Sequence, residues 1–332
     1  MMKAENVGHV PVMISEVLGA LNPFSEGLFV DSTFGQGGYS EAILKAAGST
    51  VIGIDCDPAA IELGKQLNHK YHKRFTILEG RFGDIETLIK SRGISSVDGI
   101  AFDLGVSSTQ LDTPSRGFSF QTDGPLDMRM SRKGETAADL INDTSEKELS
   151  NILHKFGEER QARRIARAIL EHRSTAPIQR TSQLAKIVRG VVSKSKEKID
   201  PATRTFMALR IYINDELGEL RRGLCAAENI LVPGGRLAVV AFHSLEDRIV
   251  KEFLYARSGR LGRGSRHFPD SSGNQPAPSF KLIKPSTVKP SPEEINKNPR
   301  ARSARLRIAE RTESPPWPRR DFSSRQELEG TL

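Results

Sequence analysis

Cysteine is nearly absent: Cys56 and Cys225 are the only two in 332 residues. That rules out a disulfide framework or a zinc site built on paired thiolates, and both thiols are expected to be small buried hydrophobes. Long apolar runs are missing as well. The longest, such as Leu237–Phe242, falls far short of the roughly 20 residues a membrane-spanning helix needs. The opening Met1-Met2-Lys3-Ala4-Glu5-Asn6 lacks the apolar stretch of a secretory signal, so the expected location is the cytoplasm, with no membrane partner. No internal repeat is visible.

Apolar residues at 37% and charged residues at 27% are ordinary for a soluble protein. The length suits one large core with an appendage. The charge is one-sided: 49 Lys and Arg against 41 Asp and Glu give +8 at pH 7. A basic chain is steered toward phosphate and gains affinity by releasing counterions, so a polyanionic partner is expected, subject to where the arginines lie.

The chain alternates strand and helix four times at its start. Leu28-Phe29-Val30 reads as a buried strand entering the glycine-rich turn Asp31-Ser32-Thr33-Phe34-Gly35-Gln36-Gly37-Gly38, with a helix following through Ala42, Ile43, Ala46 and Ala47. Strand Thr50–Ile54 ends at Asp55, a helix opens at Pro58, strand Phe75–Leu78 follows, then a helix around Ile85–Lys90 and strand Val97–Phe102 ending at Asp103. This rhythm predicts right-handed βαβ units, a doubly wound parallel sheet, and ligands beyond the carboxyl ends of the strands.

After Asp103 the rhythm stops. Leu104–Lys133 reads as a long functional loop, followed by helices: one capped by Ser145 and ended by Gly157, a basic one between Glu158 and Arg173, and one carrying Leu184, Ile187, Val188 and Val191. Ser193–Lys198 looks like the way out. A long helix from about Ala202 to Asn229, the turn Pro233-Gly234-Gly235, strand Arg236–Phe242 and a final strand Ser303–Ile308 restore the α/β pattern. The expected division is therefore 1–111 and 201–311 for a discontinuous core, 112–200 for an inserted loop and helical domain, 259–299 for a poorly ordered basic and Pro-rich segment, and 312–332 for a disordered tail.

A glycine turn between strand and helix suits a nucleotide-like cofactor, because it presents helix amides and permits close approach. A dinucleotide fingerprint would need a third glycine where Ser40 stands, which disfavours hydride transfer. Asp55, about 20 residues past the first glycine, can accept from both ribose hydroxyls, while Asp57 reads as a helix cap. Asp103 can reach either an adenine amine or an incoming substrate amine.

Three motifs then narrow the field: Asp103-Leu104-Gly105-Val106-Ser107-Ser108, Arg116-Gly117-Phe118-Ser119-Phe120, and Asp123-Gly124-Pro125-Leu126-Asp127-Met128-Arg129-Met130. With Gly157-Glu158-Glu159-Arg160, Pro201–Phe206, Phe242-His243-Ser244-Leu245-Glu246-Asp247-Arg248 and Asn298–Arg302, they resemble the RsmH (MraW) methyltransferases nearly end to end. The resemblance implies a Rossmann-like class I methyltransferase core with an inserted all-helical domain. It also implies transfer of a methyl group from S-adenosylmethionine to the exocyclic N4 of a cytidine in the decoding centre of 16S rRNA, in the small ribosomal subunit; a homodimer stays open. Carried over by position, the cofactor contacts would be Gly37, Gly38, Tyr39, Asp55, Phe82, Asp103 and Gln110. Family members often have His at the place of Tyr39 and Pro at that of Thr109, so a side-chain role for Tyr39 is in question where a backbone role is not.

The sulfonium methyl is a strong electrophile, so no metal is required and the protein chiefly orients the reactants, which can contribute about 7–11 kcal/mol. The cytosine amine is a weak nucleophile whose lone pair acceptors would localise; Asp103, Ser107 and Ser108 are the candidates. An unstacked base calls for aromatic walls, which Phe118 and Phe120 could supply. For RNA contact, Arg160, Arg163, Arg164 and Arg167 compete with a solvated helix face paired with Glu158 and Glu159, whereas Arg257, Arg260, Arg263 and Arg266 have no apolar face to support, and His243 could line the rim. His243, Ser244 and Asp247 are too close in sequence for a hydrolase triad, and Ser244 with Asp247 reads as a helix cap. The competing functions are a non-catalytic RNA-binding ribosome assembly factor that keeps the fold, and a small-molecule or DNA methyltransferase.

Overall fold

The computed structural model describes residues 11–192, 200–260 and 276–318. Met1–Asn6, Ser193–Lys198, Arg263, Arg266 and the tail beyond Pro318 lie outside them. The described chain forms two units, one from residues up to Gly105 and from Gly218 onward, the other from Val106–Leu217.

The first unit is built on seven strands: β1 (Leu28–Asp31), β2 (Thr50–Asp55), β3 (Phe75–Glu79), β4 (Val97–Asp103), β5 (Leu231–Ala241), β6 (Phe280–Leu282) and β7 (Arg305–Arg311). Their order in the sheet is β3-β2-β1-β4-β5-β7-β6. Neighbours from β3 to β5 are parallel, and β7 runs antiparallel to both β5 and β6. Helices α1 (Ile14–Leu21), α2 (Gly38–Ala46), α3 (Pro58–Tyr71) and α4 (Ile85–Lys90) belong to this unit.

Alternation along the strands explains why both faces are covered. Ala101, Ala238, Val240 and Leu306 join Val17, Leu21, Ile43 and Ala60 in one apolar cluster under α1, α2 and α3. Phe102, of opposite parity to Ala101, instead meets Phe82 edge-on at 5.7 Å and lies against Gly223 of a later helix. A strand buried on both faces loses the period-2 polarity of a half-exposed one, which is why these strands read as continuous apolar runs.

The second unit holds α5 (Ser108–Asp112), α6 (Ala137–Asp143), α7 (Glu146–Gly157), α8 (Ala162–Arg173), α9 (Thr181–Val191) and α10 (Ala202–Asn214). Leu149, Ile152, Leu153, Ile165, Ile169, Leu184, Val188 and Leu209 form its buried stripes. Gly157 is required by packing: a Cβ there would stand 2.7 Å from the Arg204 carbonyl oxygen.

Several expectations are corrected. The single helix expected over 202–229 is two, α10 and α11 (Glu216–Ile230), separated by Asp215 in the left-handed region at φ 52°. Asn214 stabilises this break by clamping the chain segment before α6: its Nδ2 donates to the Met128 carbonyl at 2.8 Å and its Oδ1 accepts from the Met130 N–H at 2.8 Å. Pro233-Gly234-Gly235 lies inside β5 rather than before it, where the pairing with β4 jumps from Val97↔Leu231 to Gly99↔Arg236. Within 259–299, the described part carries β6 and α13 (Pro292–Lys297), after α12 (Ser244–Arg257). The start of the supposed tail is ordered too: the Trp317 N–H donates to buried Glu228 at 3.0 Å and its indole to the Ala277 carbonyl at 2.9 Å.

The loop 104–133 is also less irregular than expected. It contains α5, and the buried Arg116 guanidinium donates to the Arg129 and Met130 carbonyls at 2.9 and 3.0 Å. Much of its motif content therefore holds the loop in shape.

Candidate active site

In an open α/β sheet, ligands bind outside the carboxyl ends of the strands where the strand order reverses. Here that point lies between β1 and β4, which end in Asp31 and Asp103. One oxygen of the Asp31 carboxylate accepts from the Ser40 N–H at 3.0 Å and the Ser40 hydroxyl at 2.8 Å. Its other oxygen, the Ser32 hydroxyl and Asp103 Oδ1 are buried without a partner among the described residues. An unsatisfied buried polar group costs about 1–3 kcal/mol, so three at the ends of β1 and β4 suit a ligand that brings donors.

The electrostatics agree. Burial pushes the Asp31 carboxyl up to about 6, with Ser40 opposing. Burial raises Asp103 well above the ordinary range, and the negative charges of Asp31 and Glu246 add to it. Three raised carboxyls, Asp31, Asp55 and Asp103, are what a cationic, donor-bearing ligand would relieve. The backbone N–H of Asp103 is fixed by the Thr33 hydroxyl at 2.6 Å. Ser32, Thr33 and Ser40 were missed by the sequence reading, although the polar run Asp31-Ser32-Thr33 at the end of a buried strand was a usable signal for the first two.

Asp55 sits at the end of β2, where it organises the turns around it. Its Oδ2 accepts from the Gly35 N–H at 2.7 Å and its Oδ1 from the Asp57 N–H at 2.8 Å. A carboxylate offers about four acceptor positions, so this leaves capacity for ribose hydroxyls. Asp57 caps α3 by accepting from the Ala59 N–H at 3.0 Å, as expected. Cys56 between them is half-buried rather than buried, and burial with the Asp55 charge pushes its thiol up to about 12.

The glycine turn differs from expectation in one respect. Gly37 has φ 76°, but the space a Cβ would take is filled by the Phe34 ring at 2.6 Å; at Gly38 it is filled by Pro11 at 1.9 Å. The chain's own packing demands these glycines, and any ligand would meet their backbone from another side. Tyr39 is buried with its hydroxyl donating to the Val12 carbonyl, so its side chain is committed to the core and only its backbone remains for a ligand. Phe82 is half-buried beside Phe102.

In the second unit, Ser107 caps α5: its hydroxyl accepts from the Gln110 N–H at 3.2 Å, and Gln110 Oε1 accepts from the Ser107 N–H at 2.9 Å. Ser108 and Gln110 are buried. Phe118 is buried with Arg116 over its ring at 5.5 Å, and Phe120 packs edge-on against Phe206 at 4.9 Å with Arg189 at 5.4 Å. Arg160, Arg163, Arg164 and Arg167 are all exposed; Arg164 donates to Gln161 and Arg167 lies 3.7 Å from Glu146.

The hydrolase reading is excluded by geometry. Asp247 is held by Arg307 at 2.7 Å and Arg305 at 3.0 Å on β7. His243, not Ser244, caps α12, its Nδ1 facing the Glu246 N–H, while the Glu246 carboxylate accepts from the backbone of Phe242 and His243. Arg257 is likewise structural: it pairs with buried Glu228 at 3.3 Å and stacks on Phe253 and Trp317.

A doubly wound sheet with an antiparallel β7 and buried, unmatched carboxylate oxygens at its switch point defines a Rossmann-like class I methyltransferase. The chain belongs to the MraW methylase family, whose model matches residues 6–312. It is 57% identical over 309 residues to the ribosomal RNA small subunit methyltransferase H of Paramagnetospirillum magneticum, covering 93% of this chain and 97% of that one. The protein of the same name from Rhodospirillum centenum is 58% identical over 307 residues, covering 92% and 93%. As a methylase of this fold, the chain takes its methyl group from S-adenosylmethionine. The buried partnerless acceptors and the raised carboxyls fit that cationic nucleoside. No described helix is long and apolar enough to cross a membrane.

Proposed function

We propose that the protein methylates the exocyclic N4 of one cytidine in the decoding centre of 16S rRNA. The relatives' names supply the RNA and the subunit; the family resemblance supplies the base and the atom. The observation that carries the chemistry is Asp103: a half-buried residue at the switch point whose Oδ1 is buried and unpartnered among the described residues, with a backbone fixed by Thr33.

S-adenosylmethionine, when bound, supplies an electrophilic methyl group. Gly37, Gly38 and Tyr39 would bind through their backbone, Asp55 would accept from the ribose hydroxyls, and Phe82 would cover the base. Asp103 would accept a hydrogen from the cytosine amine, localising the nitrogen lone pair as it attacks. The amine then holds one proton more than the product, and ionised Asp103 would take it. Ser107, Ser108 and Gln110, in the other unit, join the proposal on the family resemblance, as do Phe118, Phe120 and His243 for the base. Arg160, Arg163, Arg164 and Arg167 are proposed for the RNA backbone.

The test is methyl transfer from labelled S-adenosylmethionine to small subunits from a strain lacking the enzyme, followed by nucleoside mass analysis. N4-methylcytidine at one site supports the reading. Binding without transfer would favour an assembly factor, and methylation of another base or of DNA would refute the assignment.

A further inference from the structure

A groove of about 700 Å³ lies in the first unit on the edge of the sheet formed by β5, β7 and β6. Four cationic side chains line it, Arg236, Arg260, Lys281 and Lys284, against a single carboxylate, Glu310. Three of these residues form a cross-strand row, since Arg236 pairs in register with Glu310 and Glu310 with Lys281. Glu310 is used by Arg236 at 2.9 Å. Among the described residues, Arg260, Lys281 and Lys284 have no acidic partner, and all three are exposed.

The groove is separate from the methyl-transfer site. On β5, Val240 pairs with Asp103 whereas Arg236 pairs with Gly99. Four residues at about 3.3 Å each put the basic row roughly 13 Å below the carboxyl end of the sheet. Nor is the basic row a by-product of folding. β6 is the edge strand, and charged residues there discourage pairing with another chain, but one lysine does that and Arg260 and Lys284 lie off the strand.

We infer that this groove holds the sugar-phosphate backbone of the substrate RNA at a distance from the modified base. The inference rests on the proposed action on rRNA. Exposed, unpaired cations along an open groove suit a strand passing through it. An enclosed polar pocket would instead suit a small ligand. Such a contact would add affinity and register but no sequence preference.

The test compares the full-length protein with the triple variant Arg260→Gln, Lys281→Gln, Lys284→Gln, and with Glu310→Gln. Binding of a small-subunit rRNA fragment containing the target cytidine is followed by fluorescence anisotropy across a salt series. The triple variant should lose about tenfold or more in affinity near 0.1 M salt, with a log affinity against log salt slope shallower by about 2, at about 0.7 per lost phosphate contact. Glu310→Gln should bind more tightly. Thermal melting and S-adenosylmethionine calorimetry identical to wild type confirm that the fold and cofactor site are intact. If wild type binds and methylates the RNA and both variants match its affinity and slope, the groove assignment is overturned alone. If wild type neither binds nor methylates the RNA, the proposed function falls and the groove assignment with it.

Discussion

Asp31→Asn tests whether a charge is buried at the switch point without compensation. Asp31 is 1% exposed, and burial moves its carboxyl from 3.8 to about 6. The folded pKa is raised, so between these values the unfolded chain gives up its proton first. Stability from this group is therefore full below about pH 3.8 and is lost as pH rises through about 6. A shift of this size corresponds to about 3 kcal/mol in all, of which about 2 kcal/mol falls between pH 4.5 and 7.5. Asparagine keeps an acceptor for the Ser40 N–H and hydroxyl but places an amide donor where the unpartnered oxygen stood. That donor adds a penalty of about 1–3 kcal/mol that does not change with pH, so the absolute stability of the variant is not diagnostic. The diagnostic quantity is the stability difference between variant and wild type at pH 7.5 minus the same difference at pH 4.5. It should favour the variant by about 2 kcal/mol. Because Asp31 also helps raise Asp103, its removal lets that carboxyl fall too and enlarges the effect. Urea unfolding without cofactor at the two pH values measures it. Parallel stability profiles for the two proteins would refute the argument.

Asp55→Ala should weaken S-adenosylmethionine binding more than tenfold by calorimetry, since it removes the ribose acceptor and frees the Gly35 turn; unchanged affinity would take Asp55 out of the site. Asp103→Asn should suppress turnover. The wild-type rate should rise with pH as the elevated Asp103 carboxyl ionises, and that limb should vanish in the variant; wild-type rates would dismiss its role. Gly117→Ala should destabilise by more than about 2 kcal/mol, because φ is 71° and the new Cβ would stand 2.2 Å from the Pro125 carbonyl oxygen; a melting temperature within about 1 °C of wild type would contradict this.

Four parallel strands, the helix opened by Asp57-Pro58 and the acidic residues at the strand ends could be read from the chain, because a strand buried on both faces must be continuously apolar and a helix start needs a cap. The same reasoning gave no element over Ile14–Leu21, whose burial depends on β4, β5 and β7 being assembled beneath it. It also ran α10 and α11 together: a single left-handed residue at Asp215 barely disturbs helical periodicity, and the Asn214 clamp that accompanies it reaches back 84 and 86 residues. β6 is three residues long and pairs only with β7 among the described strands, too short for a period to register.

Local chemistry thus determined which residues could serve a nucleoside and a base, since residue type and place at a strand end are properties of the chain. Tertiary packing decided what those residues are free to do. It filled the space over Gly37 and Gly38 with Phe34 and Pro11, committed the Tyr39 hydroxyl to Val12, and tied Asp247 and Arg257 into ion pairs. It left one buried oxygen each of Asp31 and Asp103 unmatched among the described residues. Whether a polar atom is satisfied depends on neighbours brought from distant parts of the chain, and no local pattern encodes that.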